Sequence, residues 1–177
     1  MLSKPINPNQ ENKRKPSPAK TKPNKPKKEN VDGTIRMTYS LEEKKEYYED
    51  DGENVRLFGE KFVQRNKDKC RMIIGGKEYE VKDIIKKTEL KDYGIKEDDK
   101  ELEVMLKGDG ITDMSCMFSG CISLVKLDLS SFDTQNVTSM ESMFMGCESL
   151  VKVIRKNFGK VIISFEALLS RLAIIEV

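Results

Sequence analysis

Apolar and polar residues alternate along much of the chain between Thr34 and Lys107. Ile35, Met37 and Tyr39 alternate with Arg36, Thr38 and Ser40, the two-residue period of a half-buried strand. Leu102, Val104 and Leu106 alternate in the same way with Glu103, Met105 and Lys107. Val55 to Phe58 predicts another short strand, and Gly59 to Lys67 a short helix with Phe62 and Val63 inward. Arg71 to Ile74, then Gly75-Gly76, then Lys77 to Val81 predicts a tight hairpin, because two glycines suit the positive φ angles of a two-residue turn. Val81, Ile84, Ile85 and Thr88 have helical spacing.

Beyond Ile111 the pattern changes to an internal repeat. Ile-Thr-Asp-Met-Ser-Cys-Met-Phe-Ser-Gly-Cys-Ile-Ser-Leu-Val-Lys-Leu from Ile111 returns, 26 residues later, as Val-Thr-Ser-Met-Glu-Ser-Met-Phe-Met-Gly-Cys-Glu-Ser-Leu-Val-Lys-Val from Val137. A period of this length signals stacked supersecondary units, each with an apolar face that its neighbour must cover. The repeat core is Met114, Met117, Phe118, Cys121, Leu124, Leu127 and Leu129, and then Met140, Met143, Phe144, Cys147 and Leu150. Met114, Met117 and Phe118 have the spacing of one face of a helical turn. Gly120 can end that turn in a left-handed conformation. Leu124, Leu127 and Leu129 carry the Leu-x-x-Leu-x-Leu spacing of a leucine-rich-repeat strand. Cys121 and Cys147 share one repeat position and are expected to stack as core thiols. Asn136 is expected to brace its loop.

This motif resembles the BspA-like leucine-rich repeat, the 26-residue repeat of bacterial surface proteins. Asn136 to Leu150 matches its pattern closely and Ile111 to Phe132 nearly as well. Two departures stand out. Leu127 and Leu129 are replaced in the second unit by Val153 and Arg155, and a third unit is missing in its clear form. A shift of 25 residues aligns Met140 with Phe165, Phe144 with Leu169 and Leu150 with Ile175, which predicts a degenerate capping coil with a helix from about Ser164 to Ile174. The resemblance implies a protein-binding solenoid, or an adhesive surface protein as in exported members, with no catalytic site.

Taken together, the patterns predict an α+β chain. A disordered basic tail spans 1–30, a β-rich region with a hairpin spans 31–107, and a solenoid of two to three coils with a degenerate cap spans 108–177. Charge sharpens this division. The first 30 residues hold nine Lys or Arg, two Glu and all six prolines, whereas the remainder is mildly acidic. The tail cannot bury enough apolar surface to offset its ordering entropy. Lys13, Arg14 and Lys15, then Lys25, Lys27 and Lys28, resemble a two-cluster nuclear import signal.

The 177 residues contain no His and no Trp. Without imidazole neither a Ser-His-Asp triad nor a Cys-His pair can form. No phosphate loop, calcium loop or zinc-ligand spacing is present, so no catalytic, cofactor or metal residue is assigned and the protein is expected not to be an enzyme. Neither a secretory signal nor an apolar run of membrane-spanning length is found, which predicts an intracellular protein, cytoplasmic or nuclear. The expected function is protein binding through Lys126, Asp128, Lys152 and Ile154, which fall between the inward leucines. A second reading stays open, in which the tail binds nucleic acid or another polyanion. The apolar C-terminal residues also leave self-association open.

Overall fold

The computed structural model describes residues 33–42 and 52–155, and the backbone of 173–176. The strands are β1 (Thr34–Ser40), β2 (Asn54–Arg56), β3 (Cys70–Ile74), β4 (Lys77–Tyr79), β5 (Ile84–Lys86), β6 (Glu101–Gly108), β7 (Leu124–Asp128), β8 (Lys152–Arg155) and β9 (Ala173–Glu176). Helix α1 spans Glu60–Asn66, and a 3-10 helix spans Lys87–Tyr93. Seven strands form one mixed sheet in the order β4-β3-β6-β1-β7-β8-β9, and β2 pairs with β5 in a small second sheet.

This architecture overturns the expected α+β arrangement of a β-rich region followed by a solenoid. The described chain is mostly β, with two short helices, and the repeat strands continue the sheet that the first half begins. The physical reason lies in β1. A strand has two edges to satisfy, and β1 pairs antiparallel with β6 on one side (Met37 opposite Val104) and with β7 on the other (Met37 opposite Leu127). The repeats therefore present no open strand edge toward the N-terminal half. From β7 onward the pairing is parallel: Lys126 lies opposite Lys152, and Lys152 opposite Ala173.

The alternation in β1 and β6 does what its period demands. Ile35, Met37, Tyr39, Leu102, Val104 and Leu106 are all buried on the inner face. Cys70, Met72 and Ile74 of β3, and Leu124, Leu127 and Val153 of the repeats, join the same core. The hairpin forms as expected, with Gly75 and Gly76 at φ 57° and 79° and Ile74 opposite Lys77. In α1, Phe62 is buried and Val63 packs at the core margin.

Three local expectations are corrected. Ile84 and Ile85 belong to a strand, because Val55 pairs with Ile85; the helical spacing there loses to a tertiary partner. The Met114–Phe118 segment is a series of tight turns (Met117 N–H to Met114 O, Ser119 N–H to Cys116 O) and not a helical turn, because Cys116 takes φ 58°. The expected helix over 164–174 fails at its end, where Ala173 and Ile174 are in β9; its earlier part lies outside the described residues. The basic tail, with Lys13, Arg14, Lys15, Lys25, Lys27 and Lys28, also lies outside them.

The two repeats stack in register. Cys116, Phe118 and Gly120 N–H donate to the carbonyls of Glu141, Met143 and Met145, and Thr138 N–H donates to Thr112 O. Gly120 and Gly146 have φ 76° and 74°. Phe58 rests on Phe118 at 6.1 Å between ring centroids, and Phe118 on Phe144 at 5.7 Å, so these rings follow one another across the repeats. Next to Phe58, the backbone of Gly59 meets the first repeat closely: its N–H donates to Met117 O, and a Cβ there would lie 2.0 Å from Cys116 O. Leu57 to Gly59 thus covers the first repeat on the side away from the second.

Candidate interaction surface

A sheet with one face in the core displays every second residue on its other face. Phe62 of α1, Leu90 of the 3-10 helix, and Val55 and Ile85 of the β2–β5 sheet join the core that the inner face lines. Two cross-strand rows mark the outer one. Glu103, Thr38, Lys126 and Lys152 form the first row, from β6 through β1 and β7 to β8. Ile73, Met105, Arg36, Asp128 and Ile154 form the second. The four sequence-predicted partner residues, Lys126, Asp128, Lys152 and Ile154, are therefore brought together, all half-buried.

Lys126 owes its position to an irregularity. Lys126 is opposite Thr38 but Leu124 is opposite Tyr39, so β7 carries one extra residue, Val125. A bulge of this kind re-aims side chains. It lets Leu124 and Leu127, three apart, both point inward while Lys126 stays on the outer face. This is the structural meaning of the Leu-x-x-Leu spacing.

A shallow cleft on this face is lined by Arg36, Thr38, Glu103, Met105, Lys126 and Asp128, with Met37 and Val104 at its floor. Arg36 Nη1 lies 3.1 Å from Met105 Sδ. Asp128 Oδ1 accepts the Ser130 N–H at 3.0 Å and the Ser130 hydroxyl at 2.6 Å, which fixes the carboxylate against its own turn. At the far side of the sheet Lys107 faces Glu78 at 4.0 Å. Neither Lys126 nor Lys152 has an ion pair among the described residues. Arg36, Thr38, Glu103 and Met105 were not among the predicted partner residues. Their signal was the polar phase of the β1 and β6 alternation, which marks an outer face but not its neighbours.

Away from this face the polar groups brace the fold. Arg65 of α1 reaches Asp113 Oδ2 and the Ser115 carbonyl, both at 2.8 Å, and Asn66 Nδ2 donates to the Asp113 carbonyl. Burial raises the Asp113 carboxyl, but the Ser115 hydroxyl and N–H, and then Arg65, outweigh it and hold it below its usual value. Asn136 is exposed; the loop is braced instead by Asp133 Oδ1, which accepts the Gln135 N–H at 2.8 Å.

The thiols of Cys70, Cys121 and Cys147 are poor nucleophiles as placed. Burial pushes Cys70 up to about 11 and Cys147 up to about 12, and Cys121 is driven well above the usual thiol range by burial and then by Cys147. Cys147 Sγ donates to the Phe118 carbonyl at 3.0 Å, which ties the second repeat to the first. The remaining repeat-core side chains are buried: Met114, Met117, Phe118, Leu124, Leu127 and Leu129 in the first unit, Met140, Met143, Phe144 and Leu150 in the second. Among the described residues no group of three or more His, Cys, Asp or Glu could hold a metal ion. Among them, too, no helix is long and apolar enough to cross a membrane.

Residues 102–171 match a family described as Mycoplasma protein of unknown function, DUF285. The match opens inside β6 and runs through both repeats, so the similarity takes in part of the sheet as well as the repeat. No curated protein and no solved structure matches the chain.

Proposed function

We propose that this chain is a non-catalytic protein-interaction module and that the outer face of its mixed sheet is the contact surface. One observation carries the reading. Two repeats of different detail, and two strands distant in sequence, place Arg36, Thr38, Met105, Lys126, Asp128, Lys152 and Ile154 on one continuous face with a shallow cleft. Arg36 and Met105, adjacent on this face, are residue types enriched at protein interfaces. The resemblance of the repeat to the BspA-like leucine-rich repeat agrees with this reading. The absence of His from the sequence and the buried, high-pKa thiols agree with a lack of catalysis.

The test is site-specific photo-cross-linking in source cells with the full chain. A photoreactive residue at Thr38, in the cleft, is expected to yield a discrete protein adduct. The same residue at Lys91, exposed on the 3-10 helix, is expected to yield none. Equal adducts from both positions would remove the outer face as the contact surface. Adducts chiefly to nucleic acid would favour the basic tail as the functional element.

A further inference from the structure

Lys126 and Lys152 are neighbours on adjacent parallel strands, opposite one another in register. Adjacent strands lie about 4.8 Å apart, so two ammonium groups share one small patch. Like charges placed directly across strands are unfavourable unless something answers them. Glu103 and Asp128 lie on the same face, yet neither lysine forms an ion pair among the described residues. The Val125 bulge in β7 keeps Lys126 on this face. Ile154, on the strand of Lys152, and Met105, in the cleft with Lys126, offer apolar contact in the next row.

We propose that the outer face takes an extended acidic segment of a partner protein, with two of its carboxylates bridging Lys126 and Lys152. This rests on the interaction-module reading and names the chemistry of its partner. Side chains at i and i+2 of an extended peptide lie about 7 Å apart on one side, within reach of two flexible lysines on strands about 4.8 Å apart. A nucleic-acid strand fits less well. No aromatic side chain stands in either outer-face row to stack a base. Lysine, a compact point charge, suits carboxylates of variable geometry.

The experiment is fluorescence anisotropy of the full chain with three labelled probes: a short peptide of alternating Glu and Val, its Ser-Val counterpart, and an oligothymidine. The Glu-Val peptide is expected to bind with an affinity that falls as salt rises, and the Ser-Val peptide not to bind. The basic tail is the same in every variant, so it is controlled internally. K126E/K152E is expected to weaken Glu-Val binding about tenfold. K126R/K152R should preserve it, and K126Q/K152Q gives an intermediate loss with a milder burden on folding. Unchanged affinity in both K126E/K152E and K126Q/K152Q overturns the proposal, as does an oligothymidine that competes fully with the peptide in the wild-type chain and loses its grip in K126E/K152E. A Thr38 adduct in cells with no Glu-Val binding would overturn the acidic chemistry alone. Loss of both results would overturn the contact surface with it.

Discussion

The two repeats carry nearly the same core residues and sit in unequal surroundings. In the first, Met114, Met117, Phe118, Cys121 and Leu124 have no accessible surface. Their counterparts Met140, Met143, Phe144 and Leu150 retain 2–5%, and Cys147 is half-buried. The first repeat is held on two sides: Leu57 to Gly59 lies on one, the second repeat on the other, and Phe118 stacks between Phe58 and Phe144. Identical side chains thus carry different weight. What a repeat contributes depends on what its neighbours cover, as expected for units whose stability is a sum of their own folding and their interfaces.

The largest expected effect breaks the contact that sets the repeats apart. Gly59→Ala puts a Cβ 2.0 Å from the Cys116 carbonyl oxygen, so one backbone must move. A loss of about 4 kcal/mol or more is expected in urea unfolding. Gly146→Ala serves as the comparison: its Cβ would clear Gly120 at 3.5 Å, and only its φ of 74° is strained, for about 1–2 kcal/mol. Equal losses at the two positions would show that the Leu57–Gly59 contact does not distinguish the repeats.

Next in size are the stacked rings. Phe118→Ala removes the fully buried ring between Phe58 and Phe144 and is expected to cost about 4–5 kcal/mol, with the less buried Phe144→Ala nearer about 3 kcal/mol. A larger loss at Phe144 would invert the ranking of the two repeats. Circular dichroism melts of both variants beside the wild type measure the difference directly.

The smallest effect is a pH dependence. An unfolded thiol ionises at about 8.5. In the folded chain burial raises Cys70 to about 11, Cys147 to about 12, and Cys121 well above the usual range. The folded state therefore holds protons that the unfolded state releases. This contribution is complete below about pH 8.5 and is lost as the pH rises toward the folded values. Urea midpoints are expected to fall between about pH 8 and 10 at constant salt. Cys121→Ala should flatten that slope. A slope unchanged by Cys121→Ala would show that this thiol is not sheltered in the first repeat.

Much of the local structure was legible in the residues. The alternation of β1 and β6, the Gly75-Gly76 hairpin, the left-handed Gly120 and Gly146, and the stacking of the 26-residue units each follow from a short-range pattern. Three readings failed where a distant partner decided. Ile84 and Ile85 have helical spacing, but Val55 recruits Ile85 into a strand. Met114 to Phe118 have helical spacing too, but Cys116 leaves the helical region so that its N–H can reach Glu141 O in the next unit. The third reading was the separation of a β-rich region from a solenoid. It failed because β1, at the start of the described chain, lies between β6 and β7.

The candidate surface divides in the same way. The repeat spacing marked Lys126, Asp128, Lys152 and Ile154 as residues between the inward leucines. The two-residue period of a strand accounts for Asp128, Lys152 and Ile154, whereas Lys126 faces away from Leu124 through the Val125 bulge. That Arg36, Thr38, Glu103 and Met105 complete the face depended on the pairing of β1 with both β6 and β7, in a register set by burying Met37 against Val104 and Leu127. Periodicity is local and is written in neighbouring residues. Strand order and register are collective: they are settled by which apolar faces can be buried together, and only the folded sheet shows the result.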